Sequence, residues 1–201
     1  VKIITTGEGG LLTTNNSNIF NLVKLLRSHG VVKDESKFFF DSLNPWHYEQ
    51  QVLGFNFRMS ELNAALGNSQ IKRLDLIVKK RNQLLLRYKE SLKDLPIRFL
   101  DIPPNIVSSV HLAIISLVNK SADFHREVFL KLHKKNIFVQ LHYQPVHLNP
   151  YYQNLGFSSG DFPNSENYSK SSFSIPLYPN LDDAQFDYVV NSLKSIINEE
   201  Y

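Results

Sequence analysis

The beginning of the chain constrains its fold more than any other segment, because a strand-like run there meets a cluster of glycines. Residues 1–10 read Val-Lys-Ile-Ile-Thr-Thr-Gly-Glu-Gly-Gly. The β-branched residues that follow Lys2 favour strands, and the glycines permit the positive φ angles of a tight turn. The pattern predicts a hairpin with strands at residues 2–6 and 11–14. Lys2 has a second interpretation, since a neutral lysine amine can bond covalently to an aldehyde cofactor.

The composition is that of an ordinary globular chain with enough apolar material for a core. Of the 201 residues, 42% are hydrophobic and 20% are charged. The formal net charge is only +3, so we expect no nucleic-acid partner. The absence of cysteine excludes disulfides, thiolate metal sites and cysteine nucleophiles.

No apolar run approaches the ~20 residues of a membrane helix, and no signal peptide is recognisable. We therefore expect a cytoplasmic protein without membrane contact. Because the only methionine is Met59, we also expect the chain to begin inside a longer reading frame.

Helical periodicity appears twice in the first half of the chain, on either side of an irregular loop. Apolar residues recur at helical spacing over residues 19–28. Residues 31–51 show no period and are rich in aromatic side chains, which is typical of a long functional loop. Ser60 is a good N-cap, and from it a helical pattern continues to about residue 94, with a bend expected at residues 73–75. So long a pattern predicts a helix that connects two domains.

The second half alternates strand-like and helical segments, which predicts a small α+β domain. The predicted strands are residues 97–100, 111–118, 137–141 and 173–176. The predicted helices are residues 122–135, 163–170 and 182–198.

Two aromatic residues of the irregular loop are candidates for ligand contact. Trp46 and Tyr48 flank His47. A flat ring at such a position can stack on a base or on the face of a sugar. A lone tryptophan in a loop can equally serve as an anchor that packs onto the fold, and the pattern leaves both interpretations open.

A second notable segment precedes the long helical pattern. Residues 54–60 read Gly-Phe-Asn-Phe-Arg-Met-Ser. The Asn56 amide is a donor placed shortly before a helix, where it could contact a phosphate. The alternative is that Asn56 simply forms an Asx-turn ahead of the capped helix.

A third segment is rich in histidine, tyrosine and proline. Residues 139–152 read Val-Gln-Leu-His-Tyr-Gln-Pro-Val-His-Leu-Asn-Pro-Tyr-Tyr. His142 and Tyr143 could hydrogen-bond to sugar hydroxyls or diphosphate oxygens. We predict no metal site, because no carboxylate or third histidine is placed to complete one with His142 and His147. His147 could instead stiffen and pack a loop.

Together these three segments resemble the DegT-type nucleotide-sugar aminotransferases, in the order and spacing of that family. In the family a lysine that precedes a Gly-Glu-Gly-Gly turn carries pyridoxal phosphate, and an asparagine of a Gly-Phe-Asn-Tyr-Arg-Met-Ser element reaches the cofactor phosphate of the partner subunit. Here Phe57 replaces the usual tyrosine. The resemblance implies the C-terminal portion of an α/β, fold-type I aminotransferase. Residues 1–94 would be a remnant of the cofactor-binding large domain with the connecting helix, and residues 95–201 a small α+β domain.

The run from residue 139 most resembles the branch of the pseudaminic acid pathway that aminates C4 of a UDP-linked 4-keto-6-deoxy-N-acetylhexosamine with glutamate as donor. The resemblance implies that Lys2 is catalytic and binds the cofactor with Asn56. It also implies that Trp46, Tyr48, His142 and Tyr143 contact the substrate, and that the intact enzyme is a homodimer.

Two other functions remain open at this stage. A sugar dehydratase of the same family uses the same cofactor, but that branch carries histidine at the lysine position, so Lys2 argues against it. A non-catalytic binding or assembly module is the second. Because the residues that contact the cofactor ring belong to the part of the family fold that this chain lacks, we expect the 201-residue chain alone to be inactive.

Overall fold

The residues that the computed structural model describes, 2–41 and 44–199, form two compact units. The first comprises residues 3–72, and the second runs from residue 73 to the end of the described chain and includes Lys2. This division falls earlier than the domain boundary expected after residue 94. The assignment of residues 1–94 and 95–201 to separate domains stays a prediction.

In the first unit, a short antiparallel strand pair lies between two helices in sequence. Helix α1 (Ser17–Leu26) begins after Asn16, whose side chain accepts hydrogen bonds from the backbone of Asn18 and Ile19. Strand β1 (Val31–Val32) pairs with β2 (Glu49–Gln50), and these strands close the irregular loop predicted from the sequence. Helix α2 (Glu61–Ile71) begins at the predicted cap, because the Ser60 hydroxyl accepts a hydrogen bond from the Asn63 amide at 3.2 Å.

The hairpin predicted at residues 2–6 and 11–14 is wrong, since the structure describes no strand within residues 2–14. Local hydrogen bonds take the place of a ladder. The Gly7 amide donates to the Thr5 hydroxyl at 3.1 Å, and the Thr6 hydroxyl donates to the Glu8 carbonyl at 3.1 Å. The Glu8 carbonyl also accepts from the Asn63 side chain at 3.0 Å. The segment is thus fixed by side chains and by α2, and its β-branched residues find no neighbouring strand.

The second unit is a three-stranded antiparallel sheet with helices around it. The order in the sheet is β3-β4-β5, so β4 is central. The strands are β3 (Ile97–Phe99), β4 (Ala113–Leu117) and β5 (Ser172–Ile175). The helices are α3 (Leu74–Ser91), α4 (Ala122–Lys134), α5 (Pro150–Gln153), α6 (Pro163–Ser169) and α7 (Asp183–Asn198).

The predicted long helix is interrupted, as expected, between α2 and α3 at Lys72 and Arg73. The predicted strand at residues 137–141 is wrong. Only Gln140 pairs with the sheet, through two backbone hydrogen bonds with Ser174 at 2.8 and 3.3 Å. A strand requires a partner over several residues, and this segment leaves the edge of β5 after a single bridge.

The hydrophobic core lies in the second unit. Side chains of α3, α4 and α7 pack against the sheet, and the largest that are essentially inaccessible to solvent are Tyr88, Phe173, Leu92, Ile115, Leu132 and Leu193. In the described part of the first unit, Val32 is the only buried hydrophobic residue, and α1 and α2 bury no side chain. Nearly all of the buried apolar packing that stabilises the described chain therefore lies in the second unit. Among the described residues, no helix combines the length and apolarity that crossing a bilayer demands.

Candidate functional site

Lys2 is an exposed side chain whose amine makes no hydrogen bond or ion pair with the described part of the chain. It groups with the second unit, where its charge acts on His111. Burial lowers the pKa of His111, and the positive charges of Lys2 and then Arg81 lower it further. Lys2 therefore lies close enough to His111 for the two charges to interact.

His111 is held in place by a buried arginine of α3. Arg81 is only 5% exposed, and its Nη1 donates hydrogen bonds to the carbonyls of Val110 at 3.1 Å and His111 at 2.9 Å. Val110 has a φ of 48°, a conformation that bulky residues rarely adopt, so these hydrogen bonds help to fix an unfavourable backbone. Burial lowers the pKa of Arg81. The sequence pattern does not indicate this role, because an arginine in a helical pattern normally predicts a solvated face.

His142 also lies near His111, and Tyr143 lies beside His142. His142 Nε2 lies 2.7 Å from the Ser174 hydroxyl of β5, and its ring meets that of Tyr143 edge-on at 4.7 Å. Burial lowers the pKa of His142, so its neutral form is favoured. When His142 is protonated, its charge also lowers the pKa of His111. The structure thus places two predicted site residues, Lys2 and His142, near His111. The sequence pattern indicates no function for His111 itself.

Both histidines of the cluster have an unused ring nitrogen. Nδ1 of His111 and Nδ1 of His142 are buried and have no hydrogen-bond partner among the described residues. Buried polar atoms are normally paired. These two nitrogens, together with the equally unpaired Nε of Arg81, are therefore polar groups of the cluster that a bound molecule or a further segment of polypeptide could satisfy.

His147 does not belong to the cluster, although it lies five residues after His142. Its Nε2 is 2.9 Å from Oε1 of Glu166, and both side chains are buried. The packing interpretation of His147 fits this geometry. Within residues 2–41 and 44–199, no group of three His, Cys, Asp or Glu side chains is placed to hold a metal ion.

Asn56 lies in the first unit, in a segment fixed along the end of α1. Phe55 and Phe57 donate backbone hydrogen bonds to Leu26 at 2.7 Å and Arg27 at 2.9 Å, and Asn56 itself forms a bridge with Ser28. The close approach of this segment to the backbone of Gly30 requires glycine at position 54, because a Cβ there would collide with that backbone. The Asn56 backbone is therefore held firmly, while its exposed amide has no hydrogen-bond partner in the described chain.

Tyr48 lines a cavity of about 920 Å³ in the first unit. The cavity also contains His29, Lys33 and Arg58, so two permanent positive charges face it. Such a lining suits an anionic group. Trp46 is 75% exposed and is not part of this lining. Arg58 lies within the Gly-Phe-Asn-Phe-Arg-Met-Ser segment, but the sequence alone indicates no function for Arg58 or Lys33, because single cations carry no periodic signal.

Comparisons with known proteins agree along almost the whole chain. Residues 1–194 match the model of the DegT/DnrJ/EryC1/StrS aminotransferase family. Over 202 residues the chain is 35% identical to a UDP-4-amino-4,6-dideoxy-N-acetyl-beta-L-altrosamine transaminase of Campylobacter jejuni, covering 99% of this chain and 50% of that protein.

Solved structures show the same extent of similarity. Helicobacter pylori PseC, described as an aminotransferase involved in the biosynthesis of pseudoaminic acid, matches with a TM-score of 0.83 and 32% identity, over 100% of this chain and 52% of that one. The PLP-form of the putative sugar aminotransferase Spr1654 from Streptococcus pneumoniae matches with a TM-score of 0.80 and 22% identity, over 96% of this chain and 46% of that one. The chain spans about half the length of the curated relatives that it matches.

Proposed function

Since this chain belongs to the DegT/DnrJ/EryC1/StrS aminotransferase family, we propose that it is the C-terminal part of a nucleotide-sugar aminotransferase. The reaction places an amino group from glutamate on C4 of a UDP-linked 4-keto-6-deoxy-N-acetylhexosamine. The observation that carries this proposal is the 35% identity, over 99% of the chain, with a transaminase named for a sugar of this kind.

Pyridoxal phosphate is the cofactor of the family, and the chemistry of the available donors fits it. Lys2 offers an exposed amine without a partner, which can bond to the aldehyde. Asn56 offers an exposed amide on a firmly held backbone, which can donate to a phosphate oxygen, in our proposal that of the partner subunit. When bound, the cofactor supplies an electron-withdrawing ring that stabilises negative charge on the reacting carbon.

Lys2 is assigned the proton transfers. Once glutamate displaces it from the aldehyde, its freed Nζ would move a proton from Cα of glutamate to the cofactor carbon C4′ in the first half of the reaction, and from C4′ to C4 of the sugar in the second. His111 lies beside this amine, and burial lowers its pKa and that of His142, so both imidazoles are favoured in the neutral form. Arg81 acts indirectly, since it fixes the backbone that carries His111.

Substrate binding is assigned to the predicted aromatic and histidine residues. His142 and Tyr143 would hydrogen-bond to sugar hydroxyls or diphosphate oxygens. Trp46 would stack on a flat face of the substrate, and Tyr48 would contact it from the wall of the positively charged cavity. The charges of Lys33 and Arg58 in that cavity suit the diphosphate.

The proposal is tested with the full-length polypeptide to which this chain would belong. The assay measures formation of 2-oxoglutarate from glutamate with the UDP-linked 4-keto sugar as acceptor. Lys2→Ala should abolish turnover, whereas Lys24→Ala, on the exposed surface of α1, should leave it unchanged. Appreciable turnover by Lys2→Ala would remove Lys2 from its role.

A mixing experiment tests the assignment of Asn56 to the neighbouring subunit. Lys2→Ala and Asn56→Ala subunits should each be impaired, and their mixture should regain some activity because one site of the mixed dimer keeps both residues. Failure to regain activity after confirmed subunit exchange would place Asn56 in the site of its own subunit, or in none. For the isolated 201-residue chain we expect no turnover.

A further inference from the structure

The loop between β1 and β2 displays large aromatic side chains that packing does not hold. Phe39, Phe40 and Trp46 are 79%, 74% and 75% exposed, and Tyr48 is 59% exposed. Side chains with so little packing do not define the course of their own backbone. Another group must therefore set the conformation of this loop.

Glu49 is that group. It lies on β2, opposite Val32 of β1, and is only 8% exposed. Its carboxylate accepts a hydrogen bond from the backbone amide of Phe39 at 2.7 Å and another from that of Phe40 at 2.9 Å. Hydrogen bonds to an ionised acceptor are stronger than those between neutral groups. A single buried side chain of β2 thus joins the strand pair to the loop backbone at Phe39 and Phe40.

Glu49 is also linked to residues that neighbour the exposed aromatic side chains in sequence. Gln51 donates from its side chain to the Glu49 carboxylate at 3.3 Å and to the carbonyl of Lys37. Nε2 of His47 lies 3.6 Å from the same carboxylate, and the His47 ring meets that of Phe38 edge-on at 4.8 Å. Because His47 stands between Trp46 and Tyr48, whatever fixes His47 limits the positions of both neighbours.

The charge of Glu49 is maintained despite its burial. Burial alone would raise the pKa of the carboxyl group, but the backbone amides of Phe39 and Phe40 and the side chain of Gln51 lower it below the ordinary value. A buried carboxylate without such donors would be costly. The carboxylate and the loop backbone therefore depend on each other.

We propose that Glu49 is a positioning residue for nucleotide-sugar binding, since its carboxylate orients the loop that presents Trp46 and Tyr48. The identity of the ligand as a nucleoside diphosphate sugar rests on the proposed function. The positioning itself rests on the contacts of Glu49. A site on a loop needs such support, because small displacements of the contacting side chains weaken binding.

Trp46 provides a direct test, because it is the only tryptophan of the chain. Time-resolved fluorescence anisotropy of the 201-residue chain would report local motion of the loop without any ligand. Glu49→Gln removes the charge and should add a fast, large-amplitude component to the decay. Glu35→Gln, which changes an exposed carboxylate between β1 and β2, is the matched control and should leave the decay unchanged. If Glu49→Gln fails to fold, Glu49→Asp keeps the charge, withdraws the carboxylate by one methylene and should change the decay in the same direction.

Steady-state kinetics of the full-length enzyme complete the test. Glu49→Gln should raise KM for the UDP-linked sugar severalfold while changing kcat and the KM for glutamate little. An unchanged anisotropy decay would overturn the proposal, and so would an altered decay with an unchanged KM. Absence of turnover in the wild-type enzyme would refute the proposed function instead, whereas the anisotropy comparison would still decide whether Glu49 orients the loop.

Discussion

Oε1 of Glu166 lies 2.9 Å from Nε2 of His147, and both side chains are only 7% exposed. The same carboxylate accepts hydrogen bonds from the amide of Gly160 at 2.8 Å and the hydroxyl of Ser159 at 3.1 Å. One buried group on α6 thereby ties together three points of the segment between β4 and β5. The hydrogen bond from Gly160, followed by that from His147, lowers the pKa of Glu166 to about 2.

The first prediction concerns acid stability. The ordinary pKa of this carboxyl is 4.5, so its depressed value in the folded chain stabilises the fold fully above about pH 4.5. That contribution is lost as the pH falls from there towards 2. Glu166→Gln should therefore lower Tm at pH 7 by several degrees and flatten the decline of Tm with acid. Glu127→Gln, on an exposed ion pair of α4, is the control. Parallel curves of Tm against pH for Glu166→Gln and the wild type would contradict this account.

The second prediction concerns the core of the second unit. Leu132 of α4 is completely buried, whereas Leu130 of the same helix is 43% exposed. Leu132→Ala should reduce the free energy of unfolding by about 2–5 kcal/mol, because it removes buried methyl groups and leaves a cavity. Leu130→Ala should change it by less than about 0.5 kcal/mol. Urea unfolding followed by circular dichroism measures both, and equal losses would place the core elsewhere.

Elements whose signals are local could be predicted from the sequence. Ser60 caps α2 as predicted, Ser121 caps α4, and Asp182 opens α7 with a capping box to Gln185. Side-chain caps and helical periodicity depend on residues a few positions apart, so the sequence contains all that is needed.

Elements that depend on distant partners were harder to predict. The Gly-rich start predicts a hairpin and the segment around Gln140 predicts a strand, but neither forms, because strand propensity does not say whether a neighbouring strand is present. The same limit applies to the site. Lys2 and His142 were found through motifs, but Arg81, His111 and Glu49 owe their roles to contacts between residues far apart in sequence.

The third prediction follows from the strand assignments. Ile115 and Leu117 lie in the central strand of the sheet and are buried, so their amides should exchange slowly with solvent. Ile3, Ile4 and Thr6 have no ladder partner in the structure, and their amides should exchange quickly. Hydrogen exchange followed by NMR or mass spectrometry makes the comparison. Strong, equal protection in both regions would show that residues 2–6 are part of a sheet after all.

The fourth prediction tests the proximity of Lys2 and His111 without any activity measurement. The positive charge of Lys2 disfavours protonation of His111, so its removal in Lys2→Gln should raise the pKa of the His111 imidazole. An NMR titration of the histidine ring protons measures this change. Lys134→Gln, at the exposed end of α4, should not alter the His111 titration. An unchanged pKa in Lys2→Gln would separate Lys2 from the histidine cluster.

The central claim is that Lys2 is the residue that bonds to the cofactor. The most direct measurement is to reduce the full-length enzyme with sodium borohydride in the presence of pyridoxal phosphate, digest it, and identify the modified lysine by mass spectrometry. Reduction makes the bond between a lysine amine and the cofactor permanent. We predict that the added mass is found on the peptide containing Lys2 and is absent from the Lys2→Ala variant. Modification of a different lysine, in an enzyme that is active before reduction, would contradict the claim.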